Sequence, residues 1–356
     1  MAKSQKPLFD EAAARATIEK GRRKKWWARK GGSGRYKYTR PDGRAIKDKE
    51  QLERIASLVI PPAWKHVRIS PAASSKLQAV GMDATGRVQY IYHPNFTKKR
   101  EREKFSKLLA FAKKLPELRK LTNEHIVLEG FPRLKVLAIV LRLINSLYFR
   151  VGSDKSASLY RTYGITTLKN DHLLFGRNGT LKFDFVGKSH VRHRKVLVDQ
   201  DMADLMRELK KIGPKRKLFC YLDDNGKPKP VKASEINSYI KSATGPAFSA
   251  KDFRTWGASL LAASTLAEIG IAEDPKQVKT NIVKAIKVVA EDLGNTPSVC
   301  RSSYVHPSIL KAYENGATIA NFTPRKKRMV RRIDTRLEPD EAALLRLLEQ
   351  EDNGAV

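Results

Sequence analysis

Cysteine is scarce in this chain of 356 residues, and its scarcity excludes two structural classes. Cys220 and Cys300 are the two cysteines, and they form neither a CxxC pair nor a zinc-ligand spacing nor a disulfide framework. No apolar run reaches the roughly 20 residues of a membrane span. The N-terminus has no apolar segment typical of a secretory signal. We therefore expect a cytoplasmic protein without a membrane partner.

Acidic residues are also few relative to basic ones, at 37 Asp and Glu against 70 Lys and Arg, which gives a formal charge of +33. Such an excess predicts a polyanionic partner. Nucleic acid is favoured, because Lys and Arg release counterions from its phosphates. An anionic membrane surface is the second candidate, but nucleic acid is placed well ahead of it, so no membrane partner is expected. A merely solvated basic surface is the third reading, but the charge far exceeds what solubility requires.

Potential metal ligands are sparse as well. His190 and His193 form an HxxH pair without an acidic or cysteine ligand beside them, so we interpret them as surface or DNA-facing residues on a basic strand. No carboxylate cluster has metal-ligand spacing. The sequence therefore predicts neither a metal nor another cofactor.

The first hundred residues predict a basic arm followed by a β-rich domain. Residues 1–34 interleave cations with indoles at positions 22–27, which suggests a flexible, phosphate-contacting arm. Residues 35–96 predict a small antiparallel β DNA-binding domain that begins with a hairpin turning at Pro41-Asp42-Gly43. A short helix should follow Asp48. Further strands are predicted at 66–69, 77–80 and 88–92.

The rest of the chain predicts a mainly helical domain, so the fold class is α+β. A linking helix is expected at 97–115 and a catalytic domain at 116–322, whose central buried helix is 134–147. A small β-hairpin sheet should interrupt it near the Asn178-Gly179 turn. Its predicted strands are 165–168, 172–175, 181–186 and 191–198. Helices are predicted at 252–267 and 276–290. Residues 323–356 are expected to form a basic C-terminal extension, with a last helix at 341–350.

Four segments of the second domain stand out by their order and separation. Taken alone, each is typical of ordinary structure, since a lone Arg at a helix end is usually a cap and a lone Tyr usually packs. The segments are Phe149-Arg150-Val151-Gly152, Phe185-Val186-Gly187-Lys188, Lys251-Asp252-Phe253-Arg254-Thr255-Trp256-Gly257, and Leu293-Gly294-Asn295-Thr296-Pro297 with Tyr304 following.

In this order the segments resemble type IB DNA topoisomerases of the branch shared by poxviruses and bacteria. The resemblance runs from about residue 35 to about residue 309. It implies the catalytic fold shared with tyrosine recombinases, and a monomer that clamps double-stranded DNA in the bacterial nucleoid. It also implies supercoil relaxation without ATP, metal or cofactor.

The resemblance assigns roles to five residues of this chain. Tyr304 would be the nucleophile that forms a 3′-phosphotyrosyl bond. Lys188 would protonate the leaving 5′-oxygen, and Arg150 and Arg254 would stabilise the phosphoryl oxygens. Asn295 stands where poxviral members have His. Its amide can donate a hydrogen bond but not a charged one.

The first domain carries a second resemblance. Gln89-Tyr90-Ile91-Tyr92 is similar to the family strand that enters the major groove, and Asp83-Ala84-Thr85-Gly86-Arg87 is similar to the turn before it. These residues imply DNA contact by Gln89, Tyr90 and Tyr92. The alternative is that both tyrosines are packing residues on one face of a strand.

Two other functions stay open at this stage. A tyrosine recombinase would share the Arg, Lys, Arg and Tyr set, and the C-terminal segments echo its motif. Recombinases usually have His-x-x-Arg where this chain has Lys251-x-x-Arg254, and a helical rather than β-rich N-terminal domain. A non-enzymatic basic nucleoid-binding protein would explain the charge but not the ordered site residues.

Overall fold

The computed structural model describes residues 10–32, 35–213, 217–322 and 335–353. The chain divides into two compact units, Met1–Glu103 and Lys104–Val356. The parts of the predicted N-terminal arm at 1–9 and 33–34, and the very basic stretch at 323–334, lie outside the described residues.

The first unit is built on a five-stranded antiparallel sheet with strand order β2-β1-β3-β4-β5. Its strands are β1 (Trp27–Gly32), β2 (Arg35–Thr39), β3 (Lys65–Ile69), β4 (Leu77–Met82) and β5 (Val88–Tyr92). Its two α-helices are α1 (Glu11–Ile18) and α2 (Lys49–Ser57). Successive residues of β4 point to opposite faces. Val80 and Met82 pack with α1, and Ala79 packs with α2. The predicted small antiparallel β domain is confirmed.

Residues 10–32 were predicted to belong to a flexible arm. They are folded instead, because their apolar residues are buried. Asp10 caps α1 by accepting a hydrogen bond from the Ala13 amide, and Ile18 is completely buried. Trp27 begins β1, whose residues from Ala28 onward pair with all of β2. The predicted hairpin over residues 35–46 is formed in part. Its turn at 41–43 is present and Thr39 forms an antiparallel bridge with Ala45, but the main partner of β2 is β1, which precedes it in the chain.

The second unit is mainly helical. A long helix, α3 (Pro94–Ile126), extends further than the predicted linking helix and contains the unit boundary. The following helices are α4 (Arg133–Leu147), α5 (Asp154–Tyr160), α6 (Gln200–Ile212), α7 (Ala233–Thr244), α8 (Ala250–Ile269), α9 (Pro275–Leu293), α10 (Pro297–Ser303), α11 (Pro307–Glu314) and α12 (Pro339–Asn353). The prediction that α4 is a buried central helix is confirmed, because nine of its residues are buried.

Two small antiparallel sheets complete this unit. The three-stranded sheet has the order β6 (Leu173–Phe175), β7 (Thr180–Val186) and β8 (Arg192–Val198), and the two-stranded sheet pairs β9 (Cys220–Leu222) with β10 (Pro228–Pro230). The strand predicted at 165–168 is wrong, since residues 165–167 form a 3-10 turn. Close packing of Gly164 against Gly152, and a 3.0 Å hydrogen bond from the Gly164 amide to Thr167 Oγ1, hold this turn.

The described part of the predicted C-terminal extension belongs to the helical unit. Leu344, Leu347 and Leu348 of α12 are buried in the same core as α8. Glu341 is 5% exposed and forms an ion pair of 2.7 Å with Arg119 of α3. The helix predicted at 341–350 is therefore present, but it packs into the core of the unit instead of extending from it.

Candidate active site

Helix α8 positions two of the predicted site residues. The Arg254 side chain is 5% exposed, and its guanidinium carbon lies 5.5 Å from the centre of the Tyr304 ring. Ser259, one turn further along α8, donates a hydrogen bond of 3.2 Å to the Tyr304 carbonyl and accepts one of 3.0 Å from the His306 amide. One helix thus fixes both the guanidinium and the backbone of the candidate nucleophile.

The hydrogen bonds of Arg254 go to main-chain carbonyls. Its Nη1 donates to the Tyr148 carbonyl, and its Nη2 donates to the Leu293 carbonyl at 3.0 Å. Burial, reinforced by the charge of Arg150, lowers the pKa of Arg254 to about 10. The guanidinium therefore stays protonated at neutral pH.

Arg150 reaches the same place from the segment that follows α4. Its Nη2 donates hydrogen bonds to the side-chain oxygen of Asn295 and, at 3.4 Å, to the Gly294 carbonyl. Because a guanidinium has only donors, the amide oxygen of Asn295 must face Arg150. The Asn295 Nδ2 is then left without a hydrogen-bond partner among the described residues. Burial lowers the pKa of Arg150 as well.

Neither guanidinium has a counter-charge in contact. Within the described ranges, no Asp or Glu forms an ion pair with Arg150 or Arg254, although partly buried ion pairs occur elsewhere in the structure. A buried and a partly buried cation without carboxylate partners are costly unless an anion joins them. The arrangement therefore fits a site for an anionic ligand beside Tyr304.

Lys188 occupies a different kind of position. It follows β7 at the tip of the β7–β8 hairpin, where Ser189 and His190 both have positive φ angles. The side chain is exposed, and no described residue forms a hydrogen bond or an ion pair with its ammonium group. The structure thus brings together Arg150, Arg254, Asn295 and Tyr304, and leaves Lys188 unbonded to them on the hairpin.

His193, which the sequence analysis interpreted as a surface residue, is buried within this site. It is 8% exposed, and its Nε2 lies 3.4 Å from Arg150 Nη1. Burial, followed by the charges of Arg150 and Lys195, lowers the pKa of His193 to about 4. The residue is therefore a neutral imidazole at physiological pH. Alternate residues of β8 face the core, and His193 is one of them. This alternation is the sequence signal that could have predicted its burial.

Lys195, two residues further along β8, is also buried and was not predicted as a site residue. It is 9% exposed and pairs with Asp292 of α9 at 2.6 Å. Burial lowers its pKa, and the adjacent carboxylate opposes that shift. Lys195 therefore joins the hairpin sheet to the end of α9, directly before Gly294 and Asn295.

The predicted DNA-facing residues of the first unit lie on β5, at the edge of its sheet. Tyr90 and Tyr92 are each 40% exposed, and their rings stack with centroids 6.3 Å apart. Gln89 donates a hydrogen bond of 2.8 Å to Asp83 in the preceding turn. Both tyrosine rings share one exposed face, as their parity predicts, and this leaves them accessible to a ligand.

The described residues contain no group of three or more His, Cys, Asp or Glu side chains that could hold a metal ion. None of the described helices combines the length and apolarity needed to cross a membrane.

Comparison with known proteins places the chain in a family. Residues 93–332 match the family model described as the catalytic core of eukaryotic DNA topoisomerase I, and residues 35–83 match that of the N-terminal domain of bacterial DNA topoisomerase IB. DNA topoisomerase 1B of Acanthamoeba polyphaga mimivirus is 33% identical over 273 residues, which cover 75% of this chain and 81% of the viral protein. DNA topoisomerase 1B of vaccinia virus (strain Copenhagen) is 25% identical over 67% of this chain and 73% of its own length.

A solved structure of the XerH site-specific recombinase bound to difH substrate is also similar, at 16% identity and a TM-score of 0.36. It covers 55% of this chain and 49% of that one. The two family models and the mimivirus relative show that the chain belongs to the type IB DNA topoisomerases.

Proposed function

We propose that the protein relaxes supercoiled duplex DNA by cutting one strand with Tyr304 and resealing it. The Tyr304 oxygen attacks the scissile phosphorus, and the bond from phosphorus to the 5′-oxygen breaks as the bond to tyrosine forms. The products are a 3′-phosphotyrosyl link and a free 5′-hydroxyl. Because the link conserves the energy of the phosphodiester, the reverse attack reseals the strand without ATP.

The observation that carries this proposal is the pair of guanidiniums near Tyr304, of which Arg254 is buried and Arg150 is partly buried. Arg150 and Arg254 have donors but no carboxylate partner among the described residues. A phosphodiester supplies the missing negative charge, which grows on the phosphoryl oxygens in the transition state. Donors held in place before the reaction stabilise that charge most effectively. The guanidiniums would perform the role that a metal ion performs in other phosphoryl-transfer enzymes.

Asn295 would contribute a neutral hydrogen bond. Arg150 orients its amide oxygen, so Nδ2, which is buried and unpartnered in the described structure, is the atom that would donate to a phosphoryl oxygen. Removing one such donor typically costs about 100-fold to 1000-fold in rate. Asn295 would thus act directly, though without the charge that His would add.

Lys188 would protonate the leaving 5′-oxygen. An exposed ammonium on a hairpin tip, free of any ion pair in the described part of the chain, can reach DNA that binds beside the hairpin. General acid catalysis of this kind is typically worth about 10²-fold to 10⁴-fold.

DNA would also contact the first unit. Tyr90 and Tyr92 present an exposed aromatic face on an edge strand, and Gln89 lies beside them on the same strand. We propose that these residues bind duplex DNA in the major groove, and that a monomer clamps the duplex with a DNA-binding unit and a catalytic unit. The bacterial nucleoid would be its place of action.

Relaxation of supercoiled plasmid tests this function. The full chain should relax positive and negative supercoils in EDTA without ATP, and Tyr304→Phe should bind the plasmid but leave it supercoiled. A strict requirement for magnesium or ATP would contradict the proposal. Relaxation by Tyr304→Phe would show that Tyr304 is not the nucleophile. Strand exchange that needs two synapsed sites would indicate a recombinase instead.

A further inference from the structure

We propose that His193 is a positioning residue for strand cleavage, which holds Arg150 and the two turns that carry Lys188 and Asn295 in their working arrangement. The inference rests on the function proposed above. One imidazole ring contacts three segments that are far apart in the chain, and each of them bears a candidate catalytic residue.

The ring is held by the hairpin sheet. His193 of β8 lies opposite Phe185 of β7 in the strand register, and the two rings stack with centroids 5.2 Å apart and an interplanar angle of 21°. With 8% exposure, the imidazole has little freedom to rotate. Its edges are therefore fixed with respect to the rest of the unit.

Two glycines allow main chain to lie against these edges. A Cβ atom on Gly187 would lie 2.5 Å from His193 Cδ2, and one on Gly294 would lie 2.2 Å from His193 Cε1. Both distances are impossible for real side chains, so glycine is required at each position. Gly187 precedes Lys188, and Gly294 precedes Asn295. The His193 ring thus lies between the turn that carries Lys188 and the turn that carries Asn295, and it contacts both.

The third contact is polar. The Arg150 Nη1 lies 3.4 Å from His193 Nε2, and a guanidinium can only donate. Nε2 must therefore be the unprotonated acceptor. Arg150 also donates to Asn295 through Nη2, so His193 and Asn295 hold the two terminal nitrogens of one guanidinium from different sides.

The surrounding charges favour this neutral form. The charged groups that influence the imidazole are Arg150 after α4, Lys195 on β8, Arg254 on α8 and Asp292 on α9. Three of the four are cations, and Asp292 is already paired with Lys195. A proton on His193 would remove the acceptor and place a further cation against Arg150.

Two substitutions distinguish the contribution of the His193 ring stack from that of its hydrogen-bond acceptor. His193→Phe keeps a ring for the stack on Phe185 but cannot accept from Arg150, and His193→Gln keeps an acceptor at a similar reach. A hydrogen bond to a charged group is typically worth about 1.5–3 kcal/mol, which corresponds to a rate change of about tenfold to a hundredfold. We expect His193→Phe to slow single-turnover cleavage by that factor with unchanged DNA affinity, and His193→Gln to recover most of the rate.

The matched control is His125, a partly buried histidine of α3 whose Nδ1 lies 2.7 Å from the Tyr239 hydroxyl. His125→Phe removes a histidine hydrogen bond from the same unit outside the site, and should cleave at the wild-type rate. Equal slowing by His125→Phe and His193→Phe would mean that general loosening of the unit, not positioning, reduces the rate. That result would overturn the proposal.

A double-mutant cycle distinguishes a positioning role from a purely structural one. If His193 acts through Arg150, His193→Phe should slow cleavage much less in an Arg150→Ala background than in the wild type. Equal slowing in both backgrounds would overturn the proposal. If His193→Phe does not fold, His193→Asn, which also lacks an acceptor at the Nε2 position, replaces it in the cycle. Failure of the wild type to cleave would refute the proposed function itself, which distinguishes the two failures.

Discussion

The buried neutral state of His193 predicts how the stability of the helical unit depends on pH. Its pKa is about 4 in the folded protein, below the ordinary value of 6.5. Between these values the unfolded chain binds a proton that the folded chain does not. The contribution of His193 is therefore fully present above about pH 6.5 and declines as the pH falls toward 4. From pH 7.5 to pH 4.5 the lost stability is about 2.5 kcal/mol.

The perturbation that isolates this effect is His193→Phe, which removes the titrating group and keeps a ring of similar shape. Free energies of unfolding of both proteins would be measured with urea at pH 7.5 and pH 4.5. Carboxylates titrate equally in both proteins, so the difference between them reports His193. The wild type should lose about 2.5 kcal/mol more than the variant over this interval. Equal losses would show that His193 titrates normally, which would refute its description as a buried neutral acceptor.

Three further predictions concern other parts of the structure. Lys188→Ala should slow cleavage by about 10²-fold to 10⁴-fold with DNA binding retained, and a 5′-bridging sulfur, which leaves without a proton, should restore the rate. An unrescued variant would mean that Lys188 is not the acid. Glu341→Ala should destabilise the unit by about 3–5 kcal/mol in urea unfolding, because it leaves Arg119 buried without its partner; a loss below about 1 kcal/mol would contradict this. Gly257→Ala would bring a Cβ to 2.0 Å from the Tyr148 ring, so thermal unfolding should show a destabilisation of about 1–3 kcal/mol, and a neutral effect would contradict the packing described.

Much of the fold could be predicted from local patterns. The strand-like segments predicted β3 and β5 to within one residue and β4 to within two, and the apolar run at 134–147 predicted α4, because burial of apolar residues leaves a local pattern in the sequence. The turn at 165–167 was predicted as a strand because its β-branched residues favour strands. What determines its conformation is the contact of Gly164 with Gly152, which no local pattern reveals.

The N-terminal segment shows the same limit. Its cations suggested an arm, yet α1 and β1 are ordered by Ile18 and Trp27, whose burial depends on strands that come later in the chain. Sequence composition reports how many charges a segment carries. It does not report whether a few apolar side chains between them find a core.

The candidate site was likewise predictable only in part from the sequence. Ordered segments predicted Arg150, Arg254, Asn295 and Tyr304, which the structure brings together. His193 was missed, because its burial arises from contact with Gly294, about a hundred positions further along the chain. A single histidine on a basic strand carries no local sign of such a partner.

Covalent capture of the cut strand would identify the nucleophile and the end of the strand to which it is joined. A duplex whose 5′-leaving fragment is a short strand that diffuses away would be incubated with the full chain, and the trapped adduct digested and sequenced by mass spectrometry. We expect one modified peptide, with the 3′-phosphate of the cleaved strand attached to Tyr304, and no adduct with Tyr304→Phe. A 5′-phosphate link, or attachment to any other residue, would contradict it.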